Sequence, residues 1–236
     1  MLLCLRMSLH AKNPYQEQLL IIQRHLMGRD AEMEKVLLTE RIVIIILCCI
    51  LLLSPSMFVR WLFGKIGRMA RKVAVEFYVW AKTGVAIYCL YDGGWGHPWF
   101  MWFAAIMLSD LFAFISGLML LRSYWRAPIS LNRSLILLGF NFCEYTAWFA
   151  GMYLSSRTLL NGEVIVTDPT SSWYFSTVTA ATVGYGDFHP GEKGHVLAML
   201  QIGASIIFFA AIVAYFIGGL ERHHPDAEPP NAIKRG

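Results

Sequence analysis

Apolar residues in this chain come in long blocks, separated by short breaks rich in charge, proline and glycine. Crossing a bilayer as a helix takes about 20 residues. Five blocks have that length: 42–63, 73–91, 99–121, 134–154 and 195–217. The first is the most lipid-like and is interrupted only by Ser54-Pro55-Ser56, where a proline is expected to kink a helix without ending it. Block 73–91 is weaker, since Glu76 and Lys82 lie inside it. Block 99–121 opens on aromatic residues suited to the headgroup level and carries Asp110 at its centre. Ahead of them, Leu19, Ile22, Leu26, Met33 and Leu37 recur near helical spacing among polar residues. That spacing predicts an amphipathic helix, lying either on the membrane surface or against a partner helix. The pattern as a whole predicts an all-α, polytopic membrane protein.

Composition agrees with that class. The chain is 56% hydrophobic and 15% charged, with a mean hydropathy of +0.49. Its net charge of +4 gathers in the breaks, at Arg60, Lys65, Arg68, Arg71 and Lys72 and again over 122–133. Basic loops between spans belong to the cytoplasm, so the charge does not point to nucleic acid. The cysteines (Cys4, Cys48, Cys49, Cys89, Cys143) fall mostly inside apolar blocks and read as small buried hydrophobes. His10, His25, His97, His195, His223 and His224 have no ligand spacing with acidic residues, and no enzyme activity or organic cofactor is expected.

Between the last two blocks lies Thr182-Val183-Gly184-Tyr185-Gly186-Asp187. A cation stripped of water needs a cage of oxygens, and backbone carbonyls supply one if successive residues aim them at one axis. Alternate positions then need unusual dihedrals, which Gly184 and Gly186 tolerate because they lack Cβ. Thr182 can add a hydroxyl oxygen at the inner end, while Val183 and Tyr185 brace the loop from behind. One such loop forms one wall of a pore, and four copies around an axis close it. Ahead of it, Asp168-Pro169-Thr170-Ser171 is a good helix start. The short helix expected over 171–181 would direct the negative end of its dipole at the cation.

Thr179-Ala180-Ala181-Thr182-Val183-Gly184-Tyr185-Gly186-Asp187 resembles the pore of tetrameric potassium channels, whose filters are described by the sequence TVGYG. Tyr174 and Phe175 stand where many members carry two tryptophans. Val178 stands where some bacterial members carry a glutamate that pairs with the filter aspartate, and Ala181 replaces a commoner threonine. The resemblance implies a homotetramer in the plasma or inner membrane. It places K+ at Thr182, Val183, Gly184, Tyr185 and Gly186, with Asp187, Val178, Thr179, Tyr174 and Phe175 in support. The function it implies is passive, potassium-selective conduction, with a non-conducting or modulatory subunit as the alternative. The likeness covers roughly 134–219, and upstream it is one of helix number alone.

The implied division is an amphipathic region 1–40, accessory helices 41–121, a cytoplasmic linker 122–133, the pore domain 134–219 and a disordered cytoplasmic tail 220–236. With the outer pore helix starting in the cytoplasm, five spans put the N-terminus outside. If block 42–63 is re-entrant or interfacial, four spans put it inside. No ligand-binding domain is expected in the tail. A voltage sensor needs a basic residue at every third position of a spanning helix. Lys65, Arg68 and Arg71 have that spacing but sit away from the pore, so a cytoplasmic loop is the expected reading. Gly203 and Ser205 lie near the level of the hinge glycine of many members. These two, with Phe208, Phe209 and Phe216, are the gate candidates. His189 is expected at the outer mouth, either solvated and pointing off axis or, in four copies, forming a titrating ring.

Overall fold

The computed structural model describes residues 13–27, 38–120 and 131–220. Met33, Leu37, most of the expected linker and nearly all of the expected tail lie outside them. The chain is all-α, with α1 (Pro14–Met27), α2 (Leu38–Leu53), α3 (Pro55–Gly64), α4 (Arg68–Tyr91), α5 (Phe100–Leu120) and α6 (Leu131–Ser156). Two short strands follow, β1 (Leu159–Asn161) and β2 (Val164–Ile165), then α7 (Pro169–Ala180), β3 (His189–Pro190) and α8 (His195–Leu220).

Among the described residues four helical stretches are long and apolar enough to cross a membrane: Met69–Tyr91, Phe100–Gly117, Arg133–Ser156 and Glu192–Ala214. Block 42–63 is not one straight helix. It divides into α2 and α3, whose axes differ by 65°, so a fifth crossing exists if that bent pair is one span. The expected kink is in fact a helix end followed by a helix start. Ser54 sits in extended backbone (φ −75°, ψ 140°), and its Oγ accepts from the Met57 amide. Pro55 then occupies the first turn of α3, where its missing N–H is no loss.

The N-terminal helices pack on one another and on α5. Ile21 of α1, Ile44, Leu47, Cys48 and Leu51 of α2, Met57 of α3 and Ala113 of α5 share one buried cluster. Helix α1 therefore covers α2 of its own chain, with Gln18, Ile21 and His25 buried while Leu19 and Leu26 stay exposed. The larger core lies between α4, α5, α6, α7 and α8, around Phe100, Tyr145, Trp148, Tyr153 and Phe208. Gly151 is needed there, because a Cβ would collide with the Phe100 ring. Arg133 at the start of α6 pairs with Glu76 of α4 and donates to the Lys72 carbonyl.

Lys65, Arg68 and Arg71 do not form a stripe on one helix. Lys65 follows the end of α3, its ammonium 3.7 Å from the centre of the Trp61 ring, and Arg68 opens α4 beyond Gly67. A three-stranded antiparallel sheet, in the order β2-β1-β3, was not expected from the sequence. It joins the segment before α7 to the segment after the TVGYGD loop, through Leu160↔Ile165 on one side and Leu160↔His189 on the other.

Candidate functional site

The site begins with α7. Asp168 caps it from extended backbone, its carboxylate accepting from the Ser171 amide at 2.7 Å, and Pro169 fills the first turn. The Ser171 amide and hydroxyl hold the Asp168 carboxyl below its ordinary value. At the other end the chain folds its amides back onto the helix. Ala181 donates to Thr177 O (2.9 Å), Thr182 to Thr179 O (3.1 Å) and Val183 to Val178 O (3.0 Å).

Beyond that point every second residue is left-handed: Thr182 at φ 60°, Gly184 at 57° and Gly186 at 83°. In a strand successive carbonyls alternate in direction, whereas alternating hand gathers the peptide dipoles on one side. Glycine takes this conformation freely. Thr182 does not, since a β-branched residue there is an outlier strained by about 1–2 kcal/mol. The sequence directed attention to the two glycines, but the third left-handed position is a threonine.

The bracing side chains are aromatic. The Tyr174 and Tyr185 rings are parallel within 2°, centroids 6.4 Å apart, and Phe188 meets Tyr174 edge-on at 5.8 Å. Phe175 points the other way, edge-on to Tyr153 at 5.1 Å. Desolvation and a hydrogen bond to the Asp187 carboxylate raise the Tyr174 phenol above its ordinary value. Val178 and Thr179 are half-buried, while Val183 and Tyr185 remain exposed in the single chain. His189 is exposed, with its backbone held in β3 opposite Leu160.

Behind α7, hydroxyls and ring N–H groups anchor it to α6. Ser172 Oγ donates to Ala150 O (2.8 Å), Ser176 Oγ to Thr146 O (2.8 Å) and Trp173 Nε1 to Thr146 Oγ1 (2.9 Å). On the far side Gln201 of α8 reaches across, its Nε2 donating to Ser176 O and to Ser176 Oγ at 2.8 Å each. Of the gate candidates, Ser205 and Phe208 are buried against α6. Ser205 Oγ is 2.7 Å from the Tyr145 hydroxyl, and Phe208 stacks on the Tyr145 ring. Gly203 is exposed, with no heavy atom within 4 Å of where a Cβ would lie, and Phe209 is partly exposed. Phe216 lies within α8.

A second polar cluster ties the N-terminal helices to α6. Lys82 Nζ of α4 lies 3.0 Å from Asp110 of α5 and 3.1 Å from Glu144 of α6, and all three are buried. Asp110 also accepts from the Tyr78 hydroxyl (2.9 Å) and the Ser56 amide (3.2 Å), and Glu144 from Trp148 Nε1 (3.4 Å). Lys82 and Asp110 stand out in the sequence as charges inside apolar blocks. Glu144 and Gln201 were missed, although each is a polar residue in a spanning segment and so carries the same signal. Among the described residues no group of three or more His, Cys, Asp or Glu side chains is placed to hold a metal ion.

No curated protein and no solved structure matches the chain. Residues 140–222 match the model of a protein family described as an ion channel, a stretch that holds most of α6, all of α7, the TVGYGD loop and α8. Over that stretch, which is well under half of its length, the chain is thus similar in sequence to an ion-channel family.

Proposed function

We propose that this chain is the subunit of a potassium-selective channel. Four copies surround one axis, and K+ passes without energy input along the carbonyls of Thr182, Val183, Gly184, Tyr185 and Gly186. The observation that carries this reading is the alternating left-handed backbone at 182, 184 and 186, directly after the C-terminus of α7. That arrangement suits an array of oxygens replacing a hydration shell. The end of α7 adds the negative pole of a helix dipole. Strain at Thr182 fits the same reading, since a strained backbone persists only where its surroundings impose it. Irregular backbone between two apolar helices is tolerated in a bilayer when it lines a watery path.

Ions in such a row repel one another, and that repulsion keeps tight sites from trapping them. The ion pairs at Lys82 join α4, α5 and α6 and include no residue of 182–186. Purified protein in planar bilayers, with potassium on one side and sodium on the other, tests the proposal. The expected reversal potential lies close to the potassium equilibrium potential. A current that sodium carries equally well would overturn it.

A further inference from the structure

Gln201 is fully buried in the N-terminal third of α8, a helix otherwise composed almost entirely of apolar and small residues. Each polar group of this residue that could reach a neighbour does so. Its Nε2 bonds Ser176 O and Ser176 Oγ at 2.8 Å, and its Oε1 accepts from the Tyr153 hydroxyl at 2.9 Å. Its backbone carbonyl accepts from the Tyr145 hydroxyl at 2.7 Å and from Ser205 Oγ at 2.9 Å. The orientation of the amide is fixed by chemistry, because a carbonyl such as Ser176 O accepts only and the Nε2 side must face it.

Two features distinguish this contact from ordinary packing. Among the described residues, the hydrogen bonds joining α7 to α8 all come from Gln201. The residue it grips lies one turn before the end of α7, whose carbonyls at Thr177, Val178 and Thr179 hold the amides that lead into the left-handed loop. A shift of α7 along α8 is therefore passed to Thr182 and Val183 through three short backbone hydrogen bonds. On its other side the Gln201 carbonyl sits in the Tyr145–Ser205 contact, next to Gly203, where α8 has no side chain to resist bending.

We infer that Gln201 is a positioning residue for ion discrimination, setting the depth of α7 against α8 and thereby the spacing of the carbonyls over 182–186. This rests on the reading of 182–186 as the filter. Gln201 touches no ion. It acts through Ser176, and Tyr153 holds its amide in the productive orientation.

The test is the K+/Na+ permeability ratio of the purified full-length channel, from reversal potentials in planar bilayers. Gln201→Met keeps the length of the side chain and removes the amide. Its ratio is expected to fall at least fivefold. Tyr153→Phe removes only the Oε1 partner and should lower the ratio in the same direction by less. Ser176→Ala should resemble Tyr153→Phe, since the Ser176 carbonyl remains. A purely structural role would reduce the assembled fraction on size exclusion and leave the ratio of the surviving channels unchanged. Wild-type ratios in assembled Gln201→Met and Tyr153→Phe channels would overturn the inference and leave the filter reading standing. A wild-type channel that does not discriminate would overturn both. If Gln201→Met fails to assemble, Tyr153→Phe and Ser176→Ala decide by the same criterion.

Discussion

Replacing Lys82 by methionine removes the one ammonium that Asp110 and Glu144 share. Asp110 keeps the Tyr78 hydroxyl and the Ser56 amide, so its charge stays partly compensated. Glu144 is worse placed. It keeps only the 3.4 Å bond from Trp148 on one oxygen, and its other oxygen has no hydrogen-bond partner. Removing one partner of a buried ion pair costs about 3–5 kcal/mol, because the remaining charge is stranded in a poor dielectric. A cavity of about 30 Å³ beside Lys82 has room for a water next to Asp110 but is not lined by Glu144, so it gives the stranded Glu144 no relief. The expected loss is thus about 3–5 kcal/mol. Glu144→Gln should be milder, about 1–2 kcal/mol, since Lys82 retains Asp110. Denaturation of the purified protein across a detergent titration, followed by tryptophan fluorescence, measures both. A Lys82→Met protein within about 1 kcal/mol of wild type would show that the charges are hydrated and the pairing incidental.

At Gly184 (φ 57°) an added Cβ meets no heavy atom within 4 Å of its own chain, so the strain of Gly184→Ala is that of the dihedral. That is about 1–2 kcal/mol per copy, or about 4–8 over four copies. Loss of potassium selectivity or of conduction is expected, and a wild-type K+/Na+ ratio in Gly184→Ala would count against the filter reading. Voltage dependence should be weak, because Lys65 lies outside the helix that opens with Arg68 and Arg71, and each charge crossing the field supplies about 2.3 kcal/mol per 100 mV. Conductance rising tenfold over about 10 mV in stepped recordings would reveal a sensor elsewhere. The Asp168 cap has a pKa held down by the Ser171 amide. Its contribution is therefore complete above the ordinary carboxylate value of about 4 and fades as pH drops through the lower folded one. Asp168→Ala should cost about 1 kcal/mol at pH 7 and progressively less as pH falls below the ordinary carboxylate range, by thermal melts across that range.

The elements whose cause is local were legible in the sequence. The start of α7 follows from Asp168-Pro169, and the spans follow from block length, to within a few residues at either end. Elements that depend on what meets what were not. Ser54-Pro55 is read from the sequence as a kink, and that it instead ends α2 and caps α3 follows from the assembled fold, where Met57 packs with α2 and α5. The strands are two or three residues long, too short for periodicity to register. Their pairing follows from where α6 ends and α8 begins. Lys82 and Asp110 could be suspected of pairing, but Glu144 enters only because α4 lies along α6 with Trp80 stacked on Phe140. The left-handed turn at Thr182 could not be inferred from residue type at all, since threonine resists it.

The strand β1 has a consequence for how the outer face can be handled. It is the middle strand of the three, with β2 on one edge and β3 on the other. Residues 166–188, which hold α7 and the left-handed loop, thus leave from one edge of β1 and return to the opposite edge. Both ends of that segment are clasped by backbone pairing that asks little of side-chain identity. The turn between Asn161 and Val164, with Gly162 at φ 59°, lies outside the clasp. Loop closure grows slowly with length, about 0.6 kcal/mol for each doubling, so an epitope or fluorophore tag inserted there lengthens a hairpin without loosening the segment 166–188. That turn is a place from which this protein can be labelled, tethered or crystallised with a binder while residues 166–188 stay as they were.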